Sequence, residues 1–234
     1  MQSGAATRYF SALMRSLVLP ALLLGLIFAP ACRPEPKPPE AAAASKAGLP
    51  AAVARDRIRG VIRKPPLPKP DIRMQTVDGK AFELIRDTRG SLTLLFFGYT
   101  HCPDVCPVHV ANVSKVLKGL PIDVSGKVRF VFITTDPERD TPDKLKRWLA
   151  NFHPGFIGLT GTAEEIKRAQ LSLGLLPAGR ELPDSTKPEA YLVSHAAVVF
   201  AFTPDDSAHV IYPFGIRQTD WANDLPILAN GFPR

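Results

Sequence analysis

Two thiols carry the most pointed chemistry in the chain. Cys102 and Cys106 lie in the stretch 92–110, LTLLFFGYTHCPDVCPVHV. Residues i and i+4 share one face of a helix, so both sulfurs can aim at a common point. Pro103 and Pro107 would damage a helix interior but suit a loop that runs into a first turn. A helix N-terminus at that place favours the thiolate, the form that attacks disulfides and binds metals. The plainer alternatives are two inert core cysteines or a structural disulfide. Both fit poorly with the prolines that follow each cysteine and with Asp104 between them, because inert cysteines usually sit among uniformly apolar neighbours.

The elements around the pair must hold it in place. The apolar run Leu92 to Phe97 ends in Gly98-Tyr99-Thr100 and reads as a buried strand. Thiols just past such a strand sit where α/β sheets place their chemistry. Val110, Val113, Leu117 and Leu120 then form one helical stripe that ends near Pro121. Before this unit, Val77-Asp78-Gly79-Lys80 is a hairpin turn, and Ala81 to Ile85 reads as a strand. After it come a strand at 128–134 and a helix opened by Thr141-Pro142 with Leu145, Trp148, Leu149 and Phe152 on its apolar face. A short strand at 156–159 follows, then a helix opened by the capping box Thr162–Glu165 and running to about Leu173. A polar loop over 174–190 leads to a strand at 196–202, a turn at Pro204-Asp205-Asp206 and a partner strand at 209–212. A last helix is expected to be capped by Asp220 and shortened or kinked by Pro226. Alternating strands and helices, with thiols after the first central strand, predict an α/β, thioredoxin-like fold: a central mixed sheet flanked by helices, then a C-terminal hairpin and helix.

The N-terminal quarter has another character. Residues 1–31 hold Arg8 and Arg15, no acidic residue, and an apolar run from Leu17 to Ala31 broken by Pro20. That is a secretory signal pattern, short for a membrane-spanning helix. It ends Ala29-Pro30-Ala31-Cys32, as a lipoprotein signal would, with Cys32 as the lipidated residue. An uncleaved anchor and ordinary secretion are the alternatives, and each puts the domain outside the cytoplasm, where free thiols tend to oxidise. Residues 32–70, rich in Pro and Ala, read as a semi-rigid linker, with Arg57 to Ile62 packing back as an edge strand. Residues 33–70 carry nine Lys/Arg against three Asp/Glu. With two arginines in the signal and +7 overall, residues 71–234 are left at −1. The basic charge is therefore expected on the tether, where it suits an anionic bilayer, which argues against nucleic-acid binding by the folded part.

Taken together, GYTHCPDVCP at 98–107, TTDPERDTP at 134–142 and His195 before a strand resemble the SCO/SenC family of copper proteins over roughly residues 60–230. The resemblance implies a membrane-tethered, thioredoxin-like domain that binds one copper, as Cu(I) or Cu(II), through Cys102, Cys106 and His195. It implies a metallochaperone for the dinuclear copper site of cytochrome c oxidase, meeting that enzyme's copper-site subunit and a thiol reductant or another copper chaperone. The sequence departs from the family at Ser194, where an Asp is usual, at Ala196, and at Thr203-Pro204-Asp205-Asp206, where Asp-Pro-Asp-Gly is usual.

The donor set fits that implication. Two thiolates and an imidazole are soft ligands suited to copper, and Cu(I) accepts three where structural zinc takes four. His101 and His109 flank the cysteine loop and are further candidates, whereas His153 and His209 read as ordinary histidines. Asp136, Arg139 and Asp140 are expected on a loop near the cysteines, shaping the site, meeting a partner or simply closing a turn. The competing function is an extracytoplasmic thiol–disulfide oxidoreductase using Cys102 and Cys106 as attacking and resolving thiols. Such enzymes generally have two residues between the cysteines and a cis-proline where this chain has Ser194-His195.

Overall fold

Leu92–Gly98 (β4), buried along its whole length, is the axis of the fold. Its side chains alternate between two cores, as strand geometry requires. Leu92, Leu94 and Phe96 face one, and Leu95 and Phe97 the other. The computed structural model describes residues 57–181, 186 and 190–233.

The main sheet has eight strands in the order β1-β10-β9-β4-β5-β6-β2-β3. These are Val61–Pro68 (β1), Arg73–Thr76 (β2), Ala81–Glu83 (β3), β4, Val128–Thr134 (β5), Ile157–Thr160 (β6), Val198–Phe202 (β9) and Ser207–Pro213 (β10). β4, β5 and β6 are parallel, and β9 runs antiparallel to β4. A separate ribbon pairs Gly179–Glu181 (β7) with Leu192–Ser194 (β8). The helices are Leu84–Asp87 (α1), Val105–Gly119 (α2), Ile122–Ser125 (α3), Pro142–Ala150 (α4), Ala163–Ser172 (α5) and Gln218–Leu228 (α6). α2, α4 and α6 cover the Phe96 face, and α5 covers the Phe97 face. The mixed, thioredoxin-like sheet with a C-terminal hairpin and helix is as expected. Among the described residues no helix is long and apolar enough to cross a membrane. Cys32 and the apolar run 17–31 lie outside the described residues.

Several local expectations hold for local reasons. Thr141 caps α4 by accepting from the Lys144 N–H, and Thr162 with Glu165 forms the full capping box on α5. Others need correction. Ala81 to Ile85 is strand only to Glu83, where the chain turns into α1 and buries Leu84. Arg217, not Asp220, is the N-cap of α6; Asp220 lies in the first turn and pairs with Arg217 at 3.0 Å. The helix continues through Pro226 to Leu228, because buried Trp221, Leu225 and Leu228 hold that face to the core and so late a proline removes only one helical bond.

The largest correction concerns the linker. Residues 57–70 belong to the packed domain. β1 pairs antiparallel with β10 at an edge of the sheet, where prolines are tolerated, with an irregular register between Ile62 and Leu67. The expected edge strand at 57–62 is thus shifted along the chain to 61–68. Two buried charges fasten the strap. Asp224 accepts from the backbone N–H groups of Arg59 and Gly60, from the Tyr212 hydroxyl and from Asn223 Nδ2. Lys69 donates to Thr88, Thr93 and Asp206.

Candidate metal centre

β4 delivers the cysteine loop and α2 receives it. Cys102 lies in the turn between them, and Cys106 occupies the first turn of α2, fully buried beside the end of β4. Gly98 makes that seat possible. A Cβ there would stand 2.7 Å from Cys106 Sγ and 3.0 Å from the Phe132 ring, closer than such atoms pack. His195 arrives from the other side, after β8 and three residues before β9. One ligand atom each from Cys102, Cys106 and His195 lie within 4.8 Å of one another. Cys106 Sγ is 3.2 Å from His195 Nε2. His195 Nδ1 is 3.3 Å from the Ala196 carbonyl, to which only a protonated Nδ1 can donate. That tautomer leaves a bare Nε2 lone pair facing the sulfurs. The ring is walled by Phe96 and Tyr99, both edge-on.

The two thiols are not equivalent. A hydrogen bond from the Cys106 thiol lowers the pKa of Cys102 to about 4. The backbone N–H groups of Cys106 and Asp104, at the start of α2, assist, and the former donates to Cys102 Sγ at 3.5 Å. Burial drives Cys106 the opposite way, and the neighbouring Cys102 thiolate adds to the rise. The helix N-terminus therefore serves Cys102 outside it and not Cys106 within it. Both cysteines are free thiols.

The flanking histidines do not join the cluster. His101 is exposed, 3.2 Å from Thr100 Oγ1 and 3.5 Å from Lys144 Nζ. His109 is buried between Phe96 and Phe214, and burial lowers its pKa to about 4. His153 stacks on Phe156, and His209 pairs with Asp205.

Residues 134–140 hold the surroundings together. Asp140, with no exposed surface, accepts from the Thr100 N–H at 3.0 Å, the Thr100 hydroxyl at 2.5 Å and the Thr134 hydroxyl at 2.7 Å. Asp136 accepts from Arg139 Nε at 2.5 Å and from the Tyr191 hydroxyl at 2.7 Å. Arg139 Nη1 donates to the Tyr191 carbonyl at 2.9 Å. Sequence reading had located these charged residues near the cysteines. It missed Tyr99, Tyr191 and the β7–β8 ribbon, whose three-residue strands carry no periodic pattern and whose first strand lies in the stretch 174–190 read as loop. Ser194 is tied into that ribbon, its hydroxyl donating to the Gly179 carbonyl at 3.2 Å.

The geometry meets a family match that covers most of the domain. Residues 73–229 match the SCO1/SenC family profile. The chain belongs to the SCO1/SenC family. It is 38% identical over 121 residues to a mitochondrial SCO2 homolog of Danio rerio, covering 51% of this chain and 42% of that one. The copper-bound structure of Bradyrhizobium japonicum ScoI is 32% identical, with a TM-score of 0.60 over 69% of this chain and 99% of that one. A SCO1/SenC family lipoprotein from Bacillus anthracis is 26% identical, with a TM-score of 0.57 over 72% and 99%. The chain spans about half the length of the curated relatives it matches.

Proposed function

We propose that this chain is a copper-binding protein of the cytochrome c oxidase assembly pathway, holding one copper through Cys102, Cys106 and His195 and passing it to the dinuclear copper site of the oxidase. The observation that carries the reading is the convergence of two sulfurs and one imidazole nitrogen within 4.8 Å. This soft set favours copper over metals that want oxygen or a fourth ligand. The protein supplies a thiolate at Cys102, a second sulfur that gives up its proton on binding, and a nitrogen already in the ligating tautomer. Family membership and the copper-bound Bradyrhizobium relative support the metal, and the family's role supports the client. Tethering by a lipid on Cys32, outside the cytoplasm, belongs to the same proposal. The Bacillus lipoprotein is a relative of that kind.

The test is copper stoichiometry and affinity of the full chain in its dithiol and disulfide forms. The dithiol should take one equivalent, and the Cys102–Cys106 disulfide should take none at micromolar copper. His195→Ala should lose Cu(II) and its thiolate charge-transfer band while retaining weaker two-coordinate Cu(I). Equal binding by both redox forms would overturn the site.

The asymmetry of the thiols favours a second, compatible reading, in which the pair reduces the client's disulfide. The Cys102 thiolate attacks one client sulfur and displaces the other as a thiolate. Cys106, losing its proton to His195 Nε2 at 3.2 Å, then attacks Cys102 Sγ and releases the client dithiol. Two electrons pass to the client, and the Cys102–Cys106 disulfide needs an external thiol reductant to reset. Copper-free reduction of an oxidised client peptide, lost in Cys102→Ser, tests this reading.

A further inference from the structure

The two halves of the site are 89 residues apart in sequence, and regular sheet pairing joins neither directly to the other. The β4–β9 ladder ends at Phe96–Val199, short of both the cysteine loop and His195. Among the described residues β8, which precedes His195, pairs only with the three-residue β7. The separation of thiols and imidazole is therefore left to contacts outside the ladders.

Two consecutive residues face the two halves. Asp140 accepts both the backbone N–H and the hydroxyl of Thr100, two residues before Cys102. Arg139 reaches the other way. Its Nη1 donates to the Tyr191 carbonyl, four residues before His195, and its guanidinium lies 3.5 Å over the Tyr191 ring. Asp136 locks the assembly by accepting from Arg139 Nε and from the Tyr191 hydroxyl. The turn that carries all three is closed by the Asp140 N–H donating to the Asp136 carbonyl at 2.9 Å. It is anchored to the end of β5 through Thr134, whose hydroxyl accepts from the Asp136 N–H and donates to Asp140. The same guanidinium stands 5.8 Å over Tyr99, against which the His195 ring rests edge-on at 5.7 Å. Further ties are the Phe214 N–H donating to the Ala197 carbonyl, the hydrogen bond between the His109 ring and the Ala197 backbone, and the contact between the Tyr99 hydroxyl and the Val193 backbone. None of them reaches Tyr191.

We propose that the turn 136–140 is a bracket that sets the gap between the thiol pair and His195, with Arg139 the positioning residue for His195 and Asp140 the positioning residue for the cysteine loop. A planar guanidinium is needed at Arg139, because it must donate to Asp136 and to the Tyr191 carbonyl while stacking on the Tyr191 ring. A lysine keeps the charge but has no such fork. The bracket deepens the proposed copper site. Its own geometry is testable without metal, so its failure and that of the copper reading are distinguishable.

The experiment uses the full chain, reduced and metal-free, with histidines isotopically labelled for NMR. His195 ring protons, held edge-on to Phe96 and Tyr99, should carry ring-current shifts. In Arg139→Lys those shifts should collapse by more than half towards solvent values, while the rate of Cys102 alkylation at fixed pH stays within twofold of wild type. Asp140→Asn should do the reverse, changing Cys102 alkylation several-fold and preserving the His195 shifts. Tyr191→Phe, which removes only the hydroxyl bond to Asp136, is the milder variant and should move the His195 shifts in the same direction by less. Wild-type His195 shifts in both Arg139→Lys and Tyr191→Phe overturn the bracket. So does the same loss of both readouts in all three variants, which would mark the turn as general stabilisation.

Discussion

The strap over 57–70 and the thiol–imidazole cluster both bury polar groups, and they treat them in opposite ways. Asp224, with no exposed surface, accepts from two backbone amides, a tyrosine hydroxyl and an asparagine, at distances of 2.8 to 3.0 Å. Its charge is spread over these donors. In the cluster, the contacts of the sulfurs are longer: the Cys106 N–H lies 3.5 Å from Cys102 Sγ, and Cys106 Sγ lies 3.2 Å from His195 Nε2. A buried carboxylate with every lone pair occupied serves the fold. Soft lone pairs held close together with weak partners keep their binding capacity for something else.

Breaking the strap should cost stability and leave the site's chemistry alone. Asp224→Ala orphans the amides of Arg59 and Gly60 and the Tyr212 hydroxyl. At about 1–3 kcal/mol for each buried group left unpaired, partly relieved by water, the loss should be about 4 kcal/mol. Urea unfolding measures it, and copper bound per folded molecule should be unchanged. A similar loss of copper affinity in folded protein would erase the distinction between the two regions.

A smaller effect is expected at the other end of the strap. Asp206 has φ 57°, a conformation glycine adopts freely, and it pairs with buried Lys69 at 2.6 Å. Asp206→Gly brings in the residue usual in the family. It relieves backbone strain of about 1 kcal/mol but removes the anion from a buried ammonium, for a net loss of about 2 kcal/mol. The reciprocal double variant Lys69→Met/Asp206→Gly should recover most of that loss. A gain in stability from Asp206→Gly alone would mean that the pair contributes nothing.

The cluster itself gives the smallest stability signal and the sharpest chemical one. The folded-state pKa of Cys102, about 4, lies below its ordinary value of 9.0. Its contribution to stability is therefore complete above pH 9 and lost as pH falls towards 4. Cys106 is raised, so its contribution is complete below pH 9 and fades as pH rises above it. Alkylation separates the two. Cys102 should react at a rate that is nearly flat from pH 6 to 8, whereas Cys106 stays unmodified in folded protein. Mass mapping of singly modified chains checks the order, and equal labelling of both sulfurs would remove the asymmetry.

The sequence by itself determined the parts whose cause is local. Leu92 to Phe97 is apolar but for Thr93 and is bounded by Gly98, so it reads as a buried strand. Thr141-Pro142 and Thr162–Glu165 state their helix starts within four residues. The Cys102 and Cys106 spacing, the prolines after them and the family motifs picked out the candidate ligands before any fold was known. Tertiary structure alone decided what depends on distant partners. The composition of residues 57–70 says spacer, but Asp224 and Asp206, more than 130 positions away, turn the segment into an edge strand and its anchor. Pro226 says helix end, but burial of Leu225 and Leu228 carries α6 past it. The difference between two chemically identical thiols is tertiary as well. Nothing in the pattern Cys-Pro-Asp-Val-Cys says which sulfur is buried, and burial, acting against hydrogen bonds to the thiolate, sets the direction of each shift.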